Sequence, residues 1–196
     1  MCGRFVLTAD GKTIQQHFNL DEIPQIEARY NIAPTQPVAV ISNHKPKMMT
    51  HYRWGLIPSW SKDPSIGSKM INARSETAHE KPSFRTALKR RRCLIPANGF
   101  YEWSKTDHGK APFFVHMKHQ QLFAFAGLWE TWASPEGDEL RTCTILTSEP
   151  NDLLRNYHHR MAVILDPADY ELWLSQQPLS TDELRPLMLP FDESKM

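Results

Sequence analysis

Residues 122–129 read LFAFAGLW, an eight-residue apolar run with polar Gln121 before it and Glu130 after it. Its length and its bulky apolar side chains fit a β-strand and fall well short of a membrane span. Working outward, similar short runs recur at 37–41, 48–54, 93–96, 112–116, 142–146 and 162–165. Helical signals are fewer. Ser83 is placed to cap a segment ending at residue 90, Asp166 and Pro167 to open a helix over 168–175, and 13–20 forms a weaker helical pattern. Strands dominate and no regular βαβ alternation appears, which predicts an α+β fold built on a mixed or antiparallel, barrel-like sheet with flanking helices.

Composition sets the outer bounds. The chain has 196 residues, 40% hydrophobic and 23% charged, a balance that excludes a disordered or low-complexity protein. Its 15 prolines are spread along the chain and mark no linker, so residues 1–196 read as one domain. No glycine-rich phosphate loop is present, which argues against a nucleotide-driven enzyme. Without a secretory signal or a spanning segment, the expected compartment is the cytoplasm, and no membrane partner is expected. Six basic residues between Lys81 and Arg92 form a run suited to phosphate contact or to a solvated helix face.

Three cysteines, at positions 2, 93 and 143, include no CxxC pair. A disulfide framework or structural zinc is therefore not expected, and neither is any metal or cofactor. Cys2 stands out by position. Once Met1 is removed, it carries a free α-amine beside its thiol. That amine has a reference pKa of about 7.7 to 8.0, so a useful fraction is neutral near pH 7. It can add to an aldehyde as an imine, which the thiol then closes into a five-membered thiazolidine. The same pair would also serve an N-terminal-nucleophile amidohydrolase, with the amine as base for the thiol. A small buried residue beginning a strand is the plain alternative.

Three polar stretches, MINARSET at 70–77, NGFYEW at 98–103 and NYHHRM at 156–161, supply candidate partners. Asn72 offers amide donors and an acceptor, Glu102 a proton shuttle between Tyr101 and Trp103, and His158 or His159 proton exchange near neutrality. Desolvation between two aromatics would raise the Glu102 pKa and keep it protonated. Arg74 and Arg160 could hold phosphates bidentately.

In order and spacing, MCGRF at 1–5, ARYNIAPTQ at 28–36, WGLIPSW at 54–60, INARSET at 71–77, CLIPANGFYEW at 93–103 and HHRMAVIL at 158–165 resemble the SRAP family. These are the SOS response-associated peptidases, or abasic-site processing proteins. The resemblance covers essentially the whole chain. It implies binding of single-stranded DNA, or of a single/double-strand junction, that contains an abasic site. It also implies capture of the ring-opened sugar by Cys2 as a thiazolidine crosslink that shields the lesion, with attendant autoproteolytic and lyase capacity. Capture is one-to-one and needs only a monomer.

By the same resemblance Asn72 positions the cysteine and the lesion, Glu102 orients the amine and moves protons, and His158 aids ring opening and crosslink reversal. Arg4, Arg74 and Arg160 look like phosphate ligands, while Asn31, Pro34, Trp54 and Trp60 resemble residues of the DNA groove. Trp60, in a loop beside Pro58 and Ser59, is the better stacking platform, and Trp54 at a strand end the better core residue. Two positions depart from the family pattern: His159 stands where an acidic residue is usual, and Ala162 where a proline is frequent. The first removes a carboxylate that would favour the imidazolium of His158.

Overall fold

The computed structural model describes residues 2–106 and 109–196. Its first half runs β1 (Phe5–Leu7), α1 (Gly11–Phe18), β2 (Arg29–Ile32), β3 (Pro37–Ser42), β4 (Met49–Trp54), β5 (Asn72–Arg74), α2 (Arg85–Arg90), β6 (Arg92–Ala97), β7 (Gly99–Thr106) and β8 (Gly109–His116). Then follow β9 (Phe123–Ala133), β10 (Glu139–Ser148), α3 (Asp152–Arg155), β11 (Met161–Ala162), β12 (Ile164–Leu165), α4 (Tyr170–Trp173) and α5 (Thr181–Leu184).

The run 122–129 opens β9, the strand on which the sheet closes. One edge of β9 pairs antiparallel with β6 from Arg92↔Leu128 to Ala97↔Phe123. The other edge changes partner, meeting β12 at Phe125 and Ala124 and β10 from Gly127 to Ala133. Because β10 also pairs with β4, the path β10-β4-β3-β6-β9 returns to β10 and forms a closed five-stranded barrel. The β4–β10 pair is parallel and the other pairs of the ring are antiparallel, so the sheet is mixed. At Gly127 a Cβ would lie 2.8 Å from Cys93 Sγ and 2.9 Å from Ile95 Cδ1, so any side chain there would displace these buried groups.

A second sheet, ordered β2-β1-β7-β8, rests on the barrel. The joint is aromatic: Phe5 meets Trp54 at 5.3 Å and Phe125 at 5.7 Å, both edge-on, and Phe100 meets Phe125 at 5.8 Å. Such T-shaped pairs add to the area that these rings bury. The α+β class with a barrel-like sheet is the observed one, and all seven apolar runs lie on strands. The run 162–165 divides into β11 and β12, which pair with β10 and β9 respectively.

Several local expectations change. The 13–20 pattern shifts to Gly11–Phe18, because Asp10 caps the helix by accepting from Thr13 N at 2.9 Å and Asn19 ends it in the left-handed region at φ 50°. Ser83 is not a cap: α2 begins after Phe84, with no side-chain cap bond. Asp166 does accept from Ala168 N, but it opens a 3-10 turn, Pro167–Asp169, before the short α4. Arg92, the last of the basic run, is fully buried. Its guanidinium donates to the carbonyls of Leu88, Lys89, Trp173, Ser175 and Gln177, fastening the end of α2 to the chain after α4.

Candidate active site

The chain enters β1 through Cys2, Gly3 and Arg4, and β1 pairs with β7 at Phe5↔Phe100. The Arg4 carbonyl accepts from Tyr101 N at 2.9 Å, which extends that alignment toward the start of the chain. Strand alternation turns Glu102 inward while its neighbour Trp103 stays 39% exposed. Cys2 is wholly buried, and Glu102 is close enough for its charge to act on the thiol.

From the barrel side comes β5, running parallel to β10 with Asn72 opposite Ile145. Its approach is fixed by Trp54, whose Nε1 donates to the Ile71 carbonyl at 2.8 Å. Gly55 follows at φ 129°, and a side chain there would meet the Gly67 carbonyl oxygen at 2.5 Å, so only glycine lets the two loops touch. Asn72 Nδ2 then donates to the Cys2 carbonyl at 2.9 Å, while its Oδ1 is buried without a hydrogen-bond partner among the described residues.

His158 arrives from the segment after α3, with its N–H on the Leu154 carbonyl at 2.9 Å. The preceding Tyr157 packs on Phe113 at 4.6 Å, and Phe113 is the cross-strand partner of Glu102. Arg160 Nη2 donates to the Thr147 carbonyl at 2.6 Å, at the point where β10 pairs with Arg74 of β5. The His158 segment is thus attached both to the sheet that carries Glu102 and to the strand pair that carries Asn72. His158 and His159 stack face to face at 4.3 Å.

Electrostatics divide these groups. Burial pushes the Cys2 thiol far above its ordinary range, and the charge of Glu102 adds to the effect, so the sulfur stays protonated at neutral pH. Burial likewise raises the Glu102 carboxyl. Burial lowers His158, and the charges of His159 and Arg160 lower it further, leaving a neutral imidazole. Among the described residues no cluster of His, Cys, Asp or Glu could hold a metal ion. All three cysteines are free and buried.

The residues expected to contact DNA are placed unequally. Trp60 is 60% exposed, Asn31 and Arg74 are exposed, and Arg4 and Pro34 are half-buried. Trp54 is fully buried, so it braces the site from within and offers DNA no surface. Arg160 is 8% exposed, with Nη1 and Nη2 each donating to a carboxylate oxygen of Glu76 at 2.8 Å. Sequence reasoning passes over Glu76, although it lies inside INARSET, two residues beyond Arg74. Burial opposes its ionisation, yet the hydrogen bonds and charge of Arg160 hold its carboxyl below the ordinary range.

With this geometry in hand, the chain can be set beside known proteins. A family model described as SOS response associated peptidase (SRAP) matches residues 1–196. The chain belongs to the SRAP family. It is 46% identical over 201 residues to the abasic site processing protein YoqW of Bacillus subtilis, covering all of this chain and 90% of that one. It is 36% identical over 168 residues to the abasic site processing protein HMCES of Gallus gallus, covering 74% of this chain and 50% of that one. Among solved structures, a Bacteroides thetaiotaomicron protein superposes with a TM-score of 0.91 at 27% identity, covering 99% of this chain and 89% of that chain. The SRAP fold here has no described helix long and apolar enough to cross a membrane.

Proposed function

We propose that this SRAP protein processes abasic sites in DNA by covalent capture on Cys2. The observation that carries the reading is the seat of Cys2, whose carbonyl is held by Asn72 and whose thiol lies within the field of a buried Glu102. Removal of Met1, which lies outside the described residues, frees the α-amine. The amine attacks the ring-opened sugar aldehyde and water leaves, giving an imine. The S–H then adds across the C=N bond, with sulfur going to carbon and the proton to nitrogen. Glu102, with its raised carboxyl, supplies and recovers protons in these steps. Neutral His158 assists opening of the sugar and reversal of the crosslink.

A thiol held protonated favours this order, amine first and sulfur second. The amidohydrolase reading uses the same amine as base for the thiol, and the two are separated by whether the protein is retained on abasic DNA. The substrate is single-stranded DNA or a single/double-strand junction, bound by the monomer in the cytoplasm at the nucleoid. Asn31, Pro34, Trp60, Arg4 and Arg74 meet it from the surface. Peptidase action is removal of the leading residue, and lyase action is strand scission at the same lesion.

The test is incubation of the processed protein with single-stranded DNA containing one abasic site. A heat-stable adduct whose intact mass equals protein plus DNA less one water is expected. Adduct formed equally by Cys2→Ala overturns the assignment, and so does amide turnover with no retention on DNA.

A further inference from the structure

The Glu76–Arg160 pair sits behind the catalytic segment and reaches His158 through the backbone. Both Glu76 oxygens accept from the Arg160 fork at 2.8 Å, and the Thr147 carbonyl takes a further bond from Nη2 at 2.6 Å. A guanidinium held at three points leaves Arg160 little freedom to rotate. Its backbone N–H donates to Nδ1 of His158 at 3.0 Å. A ring nitrogen that accepts a hydrogen bond must present a lone pair, so in the neutral ring the proton resides on the other nitrogen, Nε2. The Arg160 carbonyl lies 3.2 Å from the same Nδ1 and can accept from it once the ring is protonated. Of the two Arg160 groups facing Nδ1 the N–H is the closer, which favours the Nε2–H form of the neutral ring over the Nδ1–H form.

We propose that Glu76 is a positioning residue for His158: by clamping Arg160, it holds the Arg160 N–H against Nδ1 and fixes His158 in the Nε2–H form. The ring then acts on the lesion as a hydrogen-bond donor at Nε2, toward a sugar oxygen. This use of the donor rests on the reading of His158 as an acid/base group of the site, whereas the tautomer does not. On this view Arg160 serves the histidine through its backbone while Glu76 holds its side chain.

The experiment is a long-range proton–nitrogen correlation spectrum of the full chain with nitrogen-15 histidine, the His158 signals being assigned by their loss in His158→Asn. At a pH above the His158 titration, the spectrum should show hydrogen on Nε2 and a bare Nδ1. In Glu76→Ala the pattern should move toward a mixture of tautomers, and crosslinking to abasic DNA should slow about tenfold, roughly the effect of one hydrogen bond. Glu76→Gln, nearly isosteric and able to accept one of the two bonds, should fall between. Both variants remove a negative charge beside Arg74 and Arg160, so the rates are compared at saturating DNA, where a change in affinity does not enter. An Nδ1–H signal in the unaltered protein overturns the proposal, as does a Glu76→Ala spectrum identical to it. The spectra need no DNA, so a protein that forms no adduct yet shows the tautomer shift removes the proposed lesion chemistry and leaves the positioning intact.

Discussion

The amide of Asn72 has one end on the Cys2 carbonyl at 2.9 Å and the other end, Oδ1, buried without a hydrogen-bond partner among the described residues. A buried orphan acceptor costs about 1–3 kcal/mol, close to what the bond at the other end returns. Asn72→Ala should therefore alter unfolding free energy by no more than about 1 kcal/mol. On the reading that Oδ1 meets the amine or a lesion hydroxyl, crosslinking should fall by about one to two orders of magnitude. Denaturant melts beside timed adduct gels test the pair, and a large stability loss with unchanged crosslinking would reverse the interpretation.

Glu102 carries a pH signature. Its folded pKa is raised, so between the ordinary glutamate range and that raised value the folded protein binds more protons than the unfolded chain. The stability it contributes is full below the ordinary range and is lost as pH rises through the folded value. Glu102→Gln should remove this decline, gaining on the parent protein as pH rises. It should also keep DNA binding while slowing adduct formation or reversal by roughly 100-fold. Stability curves at several pH values and rates in both directions decide the point.

The two tryptophans of WGLIPSW should separate cleanly. Trp54 is fully buried and hydrogen-bonded to Ile71, so Trp54→Ala should destabilise by about 3–5 kcal/mol. Trp60 is 60% exposed, and its removal should leave the melting temperature nearly unchanged. If Trp60 stacks on a base, single-strand affinity should drop by about 1–3 kcal/mol. Fluorescence anisotropy with a labelled oligonucleotide measures it.

His158→Ala should impair adduct chemistry more than His159→Ala. Burial and the stacked His159 ring hold His158 below its ordinary pKa, so its inflection in a pH–rate profile should lie below the usual imidazole value. His159→Asp places a carboxylate there, favours the imidazolium and should move that inflection to higher pH. An inflection that stays in place under both substitutions at 159 would detach His159 from the site's electrostatics.

Much of the fold is legible in the sequence. Long apolar runs report strands directly, and the barrel strands β3, β4, β6, β9 and β10 all contain one. The strands around Cys2, β1, β5 and β7, are short or carry polar residues. Local pattern is silent there, and only the family motifs single out residues such as Asn72 and Glu102. Arg92 misleads for the opposite reason: a cation in a basic run reads as surface, and only the tertiary fold brings the carbonyls of Trp173, Ser175 and Gln177 that join those of Leu88 and Lys89 in satisfying it. Glu76 escaped because its partner lies 84 residues away.

The complete burial of Cys2 has a consequence in time. Its surroundings come from β5, β7 and the segment after α3, and the barrel behind them closes only when β4 finds β10 in parallel, a pairing of distant segments that forms slowly. A growing chain exposes its first residues long before Asn72, Glu102 or His158 has been made. Cys2, among the first residues made, is therefore seated last, when strands from the far end of the chain close around it.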